Sequence, residues 1–144
     1  MKVSFGRCNI PHLGHKHLID ACDTFVLSNG KNNLPVDTRV KILNELGVQK
    51  SKLVVGNPFR EISKILDNNS NVDIYYTDDN YSLVKVFTGK ANLVLMEKQN
   101  GLSSTKIRKL LSEGYDQEVL LLYDNNIELY KLVKEQFIYE TAIK

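Results

Sequence analysis

A chain of 144 residues, 42% hydrophobic and 25% charged, reads as one domain with a core of its own. Its net charge of +2 excludes nucleic-acid binding argued from charge alone, so any basic patch has to be local. No run approaches the ~18 apolar residues of a membrane helix, "MKVSFGRCN" is too poor in apolar residues for a signal peptide, and Cys8 and Cys22 form neither a CxxC nor a disulfide framework. The expectation is a cytoplasmic protein with reduced thiols, with no membrane and no nucleic-acid partner. A redox role for Cys8 is the alternative.

In chain order, "KVSF" reads as a strand and "PHLGHKHLIDAC" as a helix with Pro11 at its first position. "TFVLS" is a second strand. "VDTRVKILNELG" is a helix with Asp37 as N-cap, an apolar stripe of Val40, Ile42, Leu43 and Leu46, and Gly47 to end it. "KLVVG", "VDIYYT" and "NLVLM" are three further strands, separated by the helical patterns "PFREISKILDN" and "NYSLVKVFTG". Strand–helix alternation over about a hundred residues predicts βαβ units: an α/β fold with a five-stranded parallel sheet and helices on both faces. After Met96 the pattern changes to a loop, "EKQNGLSST", a short helix, "TKIRKLLSEG", closed by Gly114, and a longer one, "NNIELYKLVKEQFIYET". Residues 1–98 form the expected core and 99–144 a C-terminal segment, with no linker between them. "SNGKNN" and "DNNSN" read as surface loops.

Ligands on open α/β sheets bind beyond the carboxyl ends of the strands. Three segments fall there: Gly6–Lys16, Thr77–Asn80 and Glu97–Arg108. In the first, "FGRCNIPHLGHKHLID", three histidines, an arginine and a lysine gather around a helix start, and no acid appears before Asp20. A helix N-terminus is already partly positive and favours acids. His12 and His15, three apart, share one side of a turn. Gly14 gives up about 1 kcal/mol of helix propensity, which close approach of a ligand to the backbone would offset. Free N–H groups, the dipole and two imidazoles make an anion pocket, to which Arg7 and Lys16 add charge. A surface cluster of histidines and a metal site are the alternatives. His17 points to another face.

"LSSTKIRKLL" repeats the pattern. Ser103 or Ser104 is a natural N-cap, and a capping box would place Glu or Gln where Lys106 and Ile107 stand. A plain serine cap on a basic surface helix explains this segment alone. Together, two cation-rich helix starts beyond strand ends fit one polyphosphate, with Ser104 and Thr105 as donors and Arg108 as a fork.

"GRCNIPHLGH" resembles the P-x-H-x-G-H signature of the nucleotidyltransferase superfamily, and "LSSTKIR" resembles the same superfamily's Ser/Thr-rich second motif. Order and separation match, and the similarity runs from Val3 to the terminal helix. "GR" before the motif and "YYTDDNYSLVKVF" look most like the archaeal-type nicotinamide-nucleotide adenylyltransferases. Those usually carry a Trp in the third helix region; here it reads "NPFREISKIL" and the chain has no Trp.

The resemblance implies a Rossmann-like α/β/α sandwich and transfer of a nucleoside monophosphate to a phosphorylated acceptor, with pyrophosphate leaving. An acceptor phosphate is already an anion, so the chemistry is positioning and charge stabilisation, without a protein nucleophile. By the same resemblance His12 and His15 bind the α-phosphate and bridging oxygen. Phe5, Gly6, Arg7, Gly14 and Lys16 belong to the nucleotide site, and Ser103, Ser104, Thr105 and Arg108 hold the outer phosphates. Mg²⁺ accompanies the triphosphate, held mainly by phosphates and water. Thr77, Asp78 and Asp79 could bind an acceptor hydroxyl or the metal, and Tyr81 and Arg39 are further candidates for the acceptor side, although a helix N-cap with acids in its first turn explains Thr77, Asp78 and Asp79, and a solvated helix face explains Arg39. Phe59 or Tyr81 could stack an acceptor ring. ATP with nicotinamide mononucleotide is the favoured substrate pair. CTP, or a nucleotide-binding module without turnover, is the alternative. The Tyr-rich terminal helix either offers a face for a homo-oligomer or packs on the sheet.

Overall fold

The structure is a computed structural model that describes residues 1–31, 33–97 and 102–142. Asn32 of the "SNGKNN" turn, 98–101 of the loop after Met96, and 143–144 lie outside the described residues. Five parallel strands, β1 (Lys2–Gly6), β2 (Thr24–Ser28), β3 (Leu53–Gly56), β4 (Asp73–Tyr76) and β5 (Asn92–Leu95), lie in the order β3-β2-β1-β4-β5. The helices are α1 (Leu13–Asp20), α2 (Val36–Glu45), α3 (Pro58–Asn68), α4 (Tyr81–Val84), α5 (Ser104–Ser112), α6 (Asp116–Leu122) and α7 (Ile127–Ala142). This is the Rossmann-like sheet expected, with a C-terminal helical segment.

Strand alternation builds two cores. Val3, Phe5, Val26 and Ile74 pack with Ile62 of α3 and with Val84 and Phe87. Phe25 and Leu27 face the other way, onto Ile19 of α1, Ile42 and Leu43 of α2, and Ile107, Val119 and Val133 of the C-terminal helices. The C-terminal segment therefore completes the larger core.

α2 ends as its glycine demands. Gly47 has φ 98°, its N–H donates to Asn44 O, and the N–H of Val48 donates to Leu43 O, each at 3.0 Å. Those two bonds make a Schellman cap, with Leu43 and Val48 buried beneath it.

Several expectations are corrected. Pro11 lies outside α1, which starts at Leu13 with His12 as N-cap. The helix expected over 80–89 is a single α turn between 3-10 turns at Asp78–Asn80 and Lys85–Phe87. Its β-branched and aromatic residues are weak helix formers. α6 was not expected from "DQEVLLL". Arg39 is not on a solvated face: it is 1% exposed. Its Nε donates to Leu34 O and one terminal nitrogen to both Arg7 O and Ser28 O, each at 2.8 Å. That guanidinium donates to backbone carbonyls and does not line the cleft described below.

Candidate active site

Strand order reverses at β1, which pairs with β2 on one side and β4 on the other. The β1–β2 ladder runs on to Gly6↔Leu27, whereas β1–β4 pairing ends at Val3↔Ile74. Beyond that point the Ser4 hydroxyl donates to Tyr75 O at 2.7 Å in place of a ladder bond. A cleft of about 520 Å³ lies beyond the carboxyl ends of β1 and β4, where such folds bind ligands. Phe5, Gly6 and Arg7, the start of α1, and Ser103, Ser104, Thr105 and Arg108 at the start of α5 all line it.

The two histidines cap their own helix. The Gly14 N–H donates to His12 Nδ1 and the His12 N–H donates to His15 Nδ1, each at 3.1 Å. This is a capping box with imidazole nitrogens in place of hydroxyl and carboxylate. A backbone N–H can only donate, so both Nδ1 atoms keep their lone pairs and each proton sits on Nε2. The rings stack with centroids 3.8 Å apart. Burial pushes His12 down to about 4. Burial, and then the neighbouring His12, hold His15 well below its ordinary value. The histidines are thus neutral acceptors toward the helix, and the electrostatic conflict at this helix start disappears. They remain N–H donors through Nε2. A Cβ on Gly14 would stand 2.9 Å from His12 Cε1, so it is the His12 ring itself that requires a glycine here.

A pH dependence follows. His12 titrates near 4 when folded and near its ordinary 6.5 when unfolded. Between those values the unfolded chain takes up a proton that the folded chain refuses. The stability from a neutral His12 is therefore complete above 6.5 and is lost as pH falls toward 4. The melting temperature should drop between pH 7 and pH 5. His12→Asn, which keeps a capping acceptor and cannot titrate, should flatten that drop. Equal slopes in the two proteins would contradict the assignment.

The loop from Arg7 to Pro11 has almost no regular structure, and distant side chains hold its carbonyls. Arg39 binds Arg7 O, Arg108 donates to Asn9 O at 2.8 Å, Ser104 Oγ to Ile10 O at 2.7 Å, and Tyr123 OH to Pro11 O at 2.6 Å. Asn9 Oδ1 accepts in turn from Leu34 N at 3.0 Å. Cys8, inside this loop, adopts φ 47°, a left-handed conformation that costs a non-glycine residue roughly 1–2 kcal/mol. Burial pushes its thiol up to about 12, so it carries no thiolate near neutrality.

α5 starts with Ser103 as N-cap, its Oγ accepting from Lys106 N at 3.1 Å. The basic residues there are not all free for a ligand. Arg108 also meets Glu140 of α7, at 3.2 Å from its nearer carboxylate oxygen. Lys16 pairs with Asp20 one turn on and does not line the cleft. Arg7 lines it and is exposed. His17, expected on another face, is exposed yet also lines the cleft.

The opposite wall comes from α3 and the end of β4. Asn57 and Phe59, and Thr77, Asp79 and Asn80, line the cleft, whereas Asp78 and Tyr81 do not. Thr77 precedes a 3-10 turn without a side-chain cap bond. Tyr81 is 53% exposed and leans on Tyr76. Phe59 is braced by Phe5 and Phe87, with ring centroids 6.2 and 6.1 Å away. Among the described residues no three His, Cys, Asp or Glu gather as a metal site, and no helix is long and apolar enough to cross a membrane.

Fold and cleft define a Rossmann-like α/β protein with an open cleft at the switch point of its sheet. No family model and no curated protein matches the chain. Among solved structures it is similar to a proposed nicotinate-nucleotide adenylyltransferase from Vibrio parahaemolyticus, with a TM-score of 0.54 and 20% identity. The match covers 90% of this chain and 93% of that one, and what it establishes is the shared fold.

Proposed function

We propose that the chain is a nucleotidyltransferase that passes AMP from ATP to a small phosphorylated acceptor, releasing pyrophosphate. The observation that supports this reading is the meeting of two capped helix starts on one cleft. α1 brings the Nε2–H groups of His12 and His15; α5 brings Ser103, Thr105 and its free N–H groups. Uncharged donors fixed in advance suit an α-phosphate whose oxygens gain charge in the transition state. Arg7 and Arg108 supply positive charge for the departing pyrophosphate.

Nicotinamide mononucleotide is the favoured acceptor by the sequence resemblance, and the similar Vibrio protein adds nicotinate mononucleotide as an equal candidate. Either would lie toward Asn57, Phe59 and Thr77 on the far wall. Mg²⁺ fits this site as an ion held by phosphate oxygens and water, because among the described residues the cleft offers the separate carboxylates Asp79 and Glu97 rather than a cluster. Bound so, it would offset the charge of the triphosphate.

The test is pyrophosphate release with Mg²⁺, each of four nucleoside triphosphates and a panel of acceptors that includes both mononucleotides. Release with ATP and a pyridine mononucleotide is the expected result. Release with CTP alone would make the protein a cytidylyltransferase. Nucleotide binding with no release from any pair would make it a binding module.

A further inference from the structure

We propose that Tyr123 is a positioning residue for His15, acting through the single peptide group that joins Pro11 to His12. Tyr123 follows α6, is 1% exposed and belongs to the larger core. Its hydroxyl donates to Pro11 O at 2.6 Å. The N–H of that same peptide is His12 N, which donates to His15 Nδ1 at 3.1 Å. The three groups form one chain, from phenol to carbonyl, across the amide, and from N–H to imidazole. A hydrogen bond accepted at a carbonyl polarises its amide and strengthens the N–H as a donor. A stronger donor facing Nδ1 keeps the His15 proton on Nε2, the nitrogen left for a ligand.

The other three clamps of the loop act on different peptides: Arg39 on Arg7 O, Arg108 on Asn9 O and Ser104 on Ile10 O. Of the four, Tyr123 alone addresses the peptide that feeds His15. Burial also raises the phenol's pKa, so the group remains a donor across the working range of pH. It takes no direct part in any reaction. The kinetic consequence rests on the nucleotidyl-transfer reading; the effect on the imidazole does not.

The test is Tyr123→Phe in the full chain, with two readouts. The first is the nitrogen spectrum of the His15 ring without ligand, where the wild type should show a neutral ring protonated on Nε2. The variant should move toward a mixture of tautomers. The second is steady-state kinetics: kcat should fall about tenfold, the scale of one hydrogen bond, while KM for the triphosphate stays within about twofold. Unchanged His15 nitrogen shifts in a folded variant would overturn the proposal, even if its melting temperature fell. If Tyr123→Phe does not fold, 3-fluorotyrosine installed in place of Tyr123 keeps the shape and donates more strongly. It should displace the His12 amide proton and His15 Nδ1 signals, and unmoved signals would overturn the proposal. If the wild type releases no pyrophosphate from any substrate pair, the functional reading fails and the nitrogen spectra still decide the role of Tyr123.

Discussion

His15→Ala is expected to retain its fold and lose about 10²–10³ in kcat, the usual effect of removing one preorganised donor from a charge-stabilising site. The ring does two separable jobs. Its Nδ1 accepts the His12 N–H at 3.1 Å, and its Nε2–H is the donor left for the cleft. Alanine ends both. Loss of the first costs about 1 kcal/mol, a shift of roughly 2–4 °C in melting temperature for a chain of this size. His15→Asn separates the two jobs, because an amide oxygen at this position can accept the His12 N–H again. That variant should melt near the wild type and still turn over slowly. A purified His15→Ala protein with normal kcat would remove His15 from the reaction.

The second large effect concerns stability. Arg39→Met should cost about 3–5 kcal/mol, because methionine fills the space but leaves the buried carbonyl of Leu34 and the part-buried carbonyls of Arg7 and Ser28 without the donors they have now. Against a total near 5–15 kcal/mol, that leaves the chain close to unfolding at physiological temperature. Arg39→Lys should recover little. An ammonium cannot reproduce the fork that reaches the end of β2, the segment before α2 and the loop after β1 together. Urea unfolding checks both variants, and a loss under about 1 kcal/mol for Arg39→Met would contradict the account. Burial lowers the guanidinium's pKa from its ordinary value. The three carbonyls stabilise the charged form in the place that a carboxylate would usually take.

Most of the sheet was legible in the sequence. "TFVLS" and "PFREISKILDN" match β2 and α3 residue for residue, because a β-branched apolar run and a Pro-led amphipathic run each have one good solution. The short helix after β4 was misread, since four residues cannot show a period. Arg39 carried a signal that apolar residues alone concealed. It stands three and four positions before Ile42 and Leu43 and seven before Leu46, on the buried stripe itself. The spacing of His12 and His15 is that of a capping box, legible once an imidazole nitrogen counts as an acceptor. Tyr123 had no local signal, because its partner lies 112 residues away.

The dependence of loop 7–11 on side chains from positions 39, 104, 108 and 123 has a consequence for where damage is felt. A peptide held by outside anchors has no shape of its own, so "GRCNIPHLGH" transplanted into a foreign scaffold would arrive without its geometry. Random substitutions that silence the protein would then be scattered widely along the chain. Some would strike Tyr123, between α6 and α7, which holds the loop from outside the cleft.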